Sequence, residues 1–223
     1  MNKGRIVGIL LLTSIILGVL VYQILQGPIL FADDFLTSTS DNKNAIITST
    51  VFGLLNGVIT IIIAVLMLPV FKQYNFGLSF LYLSFTIVNF VMIAIDNVST
   101  LSILELSISH SNHEGVNGEA FGIISELLYQ KHWWTHYMSL LSSSLYMFTF
   151  YLLFYQSKLI PKILSVGGLI AVSMMLIEIL ASIFGQSIGM ILMLPLGIVQ
   201  LSLVVWLLLK GINQQNNKIK ENF

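Results

Sequence analysis

The stretch that decides the fold is His132–Ile170, HWWTHYMSLLSSSLYMFTFYLLFYQSKLIPKILSVGGLI. Trp133, Trp134 and Tyr137 stand at its start, and Tyr151 and Tyr155 follow about 20 residues later. That is the spacing of two interfacial aromatic belts across one hydrocarbon layer. Lys158 and Lys162 come next and mark a cytoplasmic turn, and a second apolar run opens behind them. The segment therefore reads as one membrane crossing, a short basic turn and the start of another crossing.

The composition agrees with that reading. Of 223 residues, 56% are hydrophobic and 9% are charged, far below the quarter or so of charged residues in a water-soluble domain. The formal net charge of +0, with basic residues spread along the chain, excludes a nucleic-acid footprint. With Cys 0, the chain has no disulfide, no thiolate metal site and no cysteine nucleophile.

Working outward, the apolar runs predict an all-α, polytopic membrane protein forming one six-helix transmembrane domain over 1–223. The expected helices cover 6–25, 45–71, 76–98, 133–155, 161–184 and 189–210, with an extracytoplasmic loop at 106–131. The first run follows Lys3 and Arg5 as a signal peptide would. It is too long for a secretory core and has no small-x-small cleavage site before Gly27, so it is read as a retained helix. Within the long loop, AFGIISELLY (120–129) is an amphipathic piece expected at the interface. Placing both termini in the cytoplasm puts Lys3, Arg5, Lys72, Lys158, Lys162 and Lys210 inside, together with the basic tail. Only Lys43 and Lys131 then face out, which satisfies the positive-inside rule.

Four segments carry a family resemblance: RIVGIL (5–10), LPVFKQYN (68–75), the W-x-x-H segment at Trp133–His136 running into FYLLFYQSKLIPKILSVGGLI (150–170), and LPLGIVQLSLVVWLLLKG (194–211). Together they resemble the bacterial membrane proteins grouped as domain of unknown function 4386. The resemblance implies six helices in a bacterial cell membrane, multi-pass, and supplies no activity.

Ionisable residues inside membrane helices are costly, roughly 2.5–3.5 kcal/mol each on insertion scales, and so invite a functional hypothesis. Asp96, His136 and Glu178 fall at similar depth on three helices when counted at about 1.5 Å per residue. On helix four, His132, His136, Ser139 and Ser143 share one face by steps of three and four, and Asn89 and Asp96 share a face of helix three. These residues are the candidate ligand or ion pocket. The alternative is that the same groups hydrogen-bond one another as bundle glue.

His132 and His136 also have the i, i+4 spacing of a metal pair. HWWTH lacks the Glu that a zincin places after its first His, and His110 and His113 are weak further candidates, so no metal and no cofactor are expected. Gly53, Asn56 and Gly57 form a helix-packing face in GLLNG. Pro195 leaves the carbonyl of Ile191 free on helix six, and with Gln200 it either lines a cavity or marks an ordinary kink.

No residue is assigned a catalytic role, and the balance is against an enzyme. The leading expectation is a multi-pass bacterial membrane protein that binds or moves a small ligand or ion through an outward-facing polar pocket. The competing classes are an intramembrane metal-dependent hydrolase and a non-catalytic structural or partner-binding protein. Expected partners are membrane lipids and a small-molecule or ion ligand, with the Gly53–Gly57 face leaving room for a homo-oligomer.

Overall fold

The computed structural model describes residues 3–32, 34–112 and 119–212. His113 and Glu114 fall outside the described residues, as does the C-terminal tail. The described residues form helices and no strand: α1 (Lys3–Val19), a π-helical turn (Leu20–Gln26), α2 (Gly27–Leu30), α3 (Phe35–Asp41), α4 (Lys43–Phe71), α5 (Phe76–Asn112), α6 (Glu119–Ser157), α7 (Lys162–Ile183), a 3-10 turn (Met190–Met193) and α8 (Leu194–Leu209).

Six of the helical segments are long and apolar enough to cross a membrane: Lys3–Leu30, Lys43–Phe71, Phe76–Ser111, Phe121–Ser157, Lys162–Ile183 and Ile191–Leu209. A helix satisfies its own backbone hydrogen bonds, which is what lets such a segment sit in lipid. The apolar side chains left exposed on these helices, such as Ile87, Val98 and Ile170, are the surface that lipid covers.

The ends of several elements differ from the sequence expectation. The predicted loop at 106–131 is helical at both sides, because α5 continues to Asn112 and α6 begins at Glu119. No proline or glycine interrupts 99–112, and Ser99, Ser102, Ser107 and Ser111 return their hydroxyls to carbonyls three or four residues back, so polarity alone does not stop the helix. The spans on α5 and α6 hold 36 and 37 residues, against the roughly 20 needed for the hydrocarbon layer, so each helix outruns it. The stretch between the first two expected helices, 26–44, likewise contains α2 and α3, with Asp34 as N-cap of α3 accepting from the Thr37 amide at 3.3 Å.

The first span also changes pitch. In a regular helix the ring of Pro28 would collide with the carbonyl of Ile24, and the chain widens to a π turn just before it. The Gly27 amide donates to the carbonyl of Tyr22, and a Cβ on Gly27 would stand 2.6 Å from that oxygen, so the turn requires glycine there.

Pro195 does not kink the last helix. It sits in the first turn of α8, directly after the 3-10 segment, where a missing amide hydrogen costs nothing because that position has no helical acceptor. α6 ends at Lys158, whose φ of 55° is a left-handed cap, and its amide donates to Phe154 O at 3.0 Å.

The chain divides into two compact units, one made of 1–13, 59–89 and 140–223 and the other of 14–58 and 90–139. In the first, Phe71, Tyr82, Phe150 and Phe154 form an aromatic core, with Phe71 edge-on to Phe154 at 5.2 Å and Tyr82 stacked on Phe150 at 5.4 Å. In the same unit Gly168 lies under the Tyr151 ring, which occupies the space a Cβ would need. In the second, Ile29, Leu30, Ile46, Ile103 and Leu104 form the core, with Phe35 and Leu128 packed against it.

Candidate functional site

The site is built in the second unit, from α5, α6 and the π turn. Asp96 on α5 is 3% exposed, and α6 presents His132, Thr135 and His136 to its carboxylate. His136 Nδ1 lies 3.2 Å from Oδ2 and His132 Nδ1 lies 3.2 Å from Oδ1. A carboxylate only accepts, so opposite an ionised Asp96 both imidazoles carry hydrogen on Nδ1 and leave Nε2 as the second functional atom. The i, i+4 spacing that placed two imidazoles on one face thus serves a shared carboxylate.

Hydroxyl groups complete the arrangement. Thr135 Oγ1 lies 3.0 Å from Asp96 Oδ1 and 3.0 Å from the carbonyl of His132, so its one hydrogen is shared between two acceptors. Thr100 Oγ1 donates to the Asp96 carbonyl at 3.2 Å and lies 3.3 Å from His132 Nδ1, which makes it a second acceptor for that imidazole. Tyr22, on the π turn, meets the His136 ring edge-to-face at 5.3 Å. The side chain of His136 is 25% exposed where that of Asp96 is 4%, so His136 is the accessible end of the cluster. With both imidazoles neutral and Asp96 ionised the cluster carries one negative charge, and one added proton cancels it.

The remaining sequence candidates lie elsewhere. Ser139 is buried in the same unit as Asp96. In the other unit Asn89 Oδ1 accepts from Ser142 at 2.9 Å and from Ser143 at 2.7 Å. Glu178, also in that unit, is 3% exposed. Its carboxylate accepts from Ser182 (3.0 Å), Ser187 (2.8 Å) and the amides of Ile188 and Gly189 (3.0 Å each), all on the end of α7 and the following loop. Among the described residues its hydrogen-bond partners are distinct from those of Asp96.

His110 stacks on Phe121 at 4.7 Å. Among the described residues no group of three or more His, Asp or Glu is arranged to hold a metal ion. Asp34 lies beyond the first span, and its carboxyl is held below the usual range, chiefly by hydrogen bonding to Thr37.

Gly53, Asn56 and Gly57 on α4 lie against residues of α1 and α5. Ser14 donates to Asn56 at 2.6 Å. Asn97 donates to the Thr50 carbonyl at 3.0 Å through the gap that Gly53 leaves, since a Cβ there would stand 3.3 Å from the amide. Gly57 faces Phe90.

Tyr22 and Thr135 were not legible as site residues from the sequence. Thr135 had a signal, its i+3 position from His132, whereas Tyr22 is aimed by the π turn and only Pro28 hints at that.

Fold and site together define a multi-pass helical membrane protein with an ionisable His–Asp–His cluster within its bundle. The sequence model of the family described as domain of unknown function (DUF4386) matches residues 6–211, and the chain belongs to that family. No curated protein and no solved structure matches the chain.

Proposed function

We propose that this protein binds a proton at Asp96, His132 and His136, and that this event underlies ligand or ion movement through the bundle. The observation that carries the reading is a carboxylate at 3% exposure held between two imidazoles through their Nδ1 atoms. A buried negative charge in a membrane helix is expensive, and one proton on either imidazole neutralises it. His136, whose side chain is 25% exposed, is the residue through which that proton arrives. The topology proposed with it has both termini in the cytoplasm of a bacterial cell, so that the cluster belongs to the outer half of the membrane. The basic residues at Lys72, Lys158 and Lys162 support this orientation.

The test is nitrogen NMR of histidine-labelled protein in nanodiscs, followed from alkaline to acid pH. The expected result is the Nδ1–H tautomer on His132 and His136 at the alkaline end and uptake of one proton by the pair on acidification. Both features should change in Asp96→Asn. Imidazoles that stay neutral throughout, or that behave identically in Asp96→Asn, overturn the proposal.

A structural role is the second reading. It is favoured by the number of donors already gathered around Asp96, which is how polar groups tie membrane helices together.

A further inference from the structure

A second set of residues lies beyond the end of the first span, in the same compact unit as the His–Asp–His cluster but outside it. Phe31, Ala32, Phe35, Glu126 and Tyr129 line a cleft of about 260 Å³. Phe35 is fixed by packing on the Ile29–Leu30–Ile46–Ile103–Leu104 core. The Tyr129 ring lies against it at 5.1 Å, tilted by 46°. Phe31 is 70% exposed, so its ring is open to a ligand in the cleft. Glu126 Oε1 accepts from Gln130 Nε2 at 2.8 Å, which orients the carboxylate, and Oε2 has no donor among the described residues.

The chemistry of this lining is selective. Aromatic faces carry negative quadrupole charge and attract a cation placed over them, and the single carboxylate supplies the countercharge. Among the described residues no basic side chain lines the cleft, so an anion would meet only repulsion. A hard metal ion needs six or more oxygen ligands in place of its water shell, and one carboxylate among three rings does not provide them. An alkylated ammonium group has no tight water shell to replace and offers methyl surface to the rings. The volume lies below the roughly 300–1,000 Å³ of clefts that take drug-sized ligands, which suits a small head group.

We propose that the Phe31–Phe35–Tyr129–Glu126 cleft binds an organic ammonium group, preferentially a methylated one. The group comes either from a free molecule or from a lipid head group, since the cleft adjoins the end of a membrane span. This reading stands independently of the proton site at Asp96.

The probe is tetramethylammonium chloride, measured by saturation-transfer NMR of its methyl signal on the full-length protein in lipid-free, non-ionic detergent, with sodium chloride holding ionic strength constant. Saturable transfer is expected, with half-saturation on the order of 1–10 mM for an exposed aromatic–carboxylate site. Glu126→Gln and Phe31→Ala alter exposed side chains that the fold does not depend on, and each should weaken binding about tenfold, the scale of one lost charge or ring contact. Absence of saturable transfer, or equal transfer in wild type and both variants, overturns the proposal. Repeating the titration in phosphatidylcholine and phosphatidylglycerol nanodiscs separates the sources. A raised half-saturation in phosphatidylcholine alone supports the lipid head group, and equal values support a free ammonium compound.

Discussion

Asp96 Oδ2 and His136 Nδ1 lie 3.2 Å apart although 40 positions separate them in the chain. Their energies must therefore be coupled. Asp96→Asn and His136→Gln should be non-additive in thermal or denaturant unfolding, with an interaction term between about 0.5 and 3 kcal/mol. Asp96→Asn combined with Glu178→Gln should be additive within about 0.5 kcal/mol, because the two carboxylates hold distinct partners among the described residues. Additivity in the first pair would dismantle the cluster as an energetic unit.

A Cβ on Gly57 would stand 2.7 Å from Phe90 Cδ2. Gly57→Ile is expected to cost about 1–3 kcal/mol, the usual penalty for overpacking, and Phe90→Ala should recover part of it. Gly53→Ile should also destabilise, by displacing Asn97 from the Thr50 carbonyl. Both glycines face their own chain, so oligomer size should not change. Unaltered melting temperatures in both variants would move this face to lipid.

The amides of Ile188 and Gly189 both donate to Glu178 Oε2 at 3.0 Å. Glu178→Ala should raise hydrogen exchange at these two amides by more than tenfold, since bonds to a charged group are worth about 1.5–3 kcal/mol. Glu178→Gln should fall between, because its amide offers one oxygen instead of two. Exchange that does not respond would mean that the loop is held by its own backbone.

Asp34 provides a pH test outside the membrane segments. Its folded carboxyl sits below the ordinary range, so its contribution is present above the unfolded value of about 3.9 and fades as pH falls through the folded one. Asp34→Ala should loosen α3 by about 1 kcal/mol or less at pH 7, the scale of a lost exposed cap. Proteolysis within α3 should show that difference at pH 7 and lose it in strong acid. A difference of equal size at both ends would assign the effect to something other than the charged cap.

Asn75 donates to Gln156 at 3.1 Å, so both must lie on one side of the membrane. Cysteines placed there should label only after permeabilisation, and cysteines at Asp34 and Gln186 should label in intact cells. Labelling of Gln156→Cys in intact cells would reverse the proposed orientation.

The sequence by itself determined the number of spans and their approximate limits, because roughly 20 apolar residues in a row have few other uses in a chain this poor in charge. It also determined which faces of helices three and four carry polar groups, since helical spacing is a local property. Where the apolar periodicity faded, composition suggested an extracytoplasmic loop at 106–131 with an amphipathic piece at 120–129. At 99–112 the chain stays helical because no proline or glycine breaks the ladder, and the serine hydroxyls find acceptors on carbonyls of their own helix.

Tertiary packing decided what the polar faces meet. Depth counting set Asp96 level with both His136 and Glu178, yet depth says nothing about the rotation of one helix against another. Asp96 found the two imidazoles of α6, while Glu178 satisfied its oxygens on its own loop. The role of Tyr22 likewise came from a backbone event, the π turn ahead of Pro28, which turns the ring toward His136. That contact depends on a partner more than a hundred residues away in the chain, so no local pattern around Tyr22 encodes it.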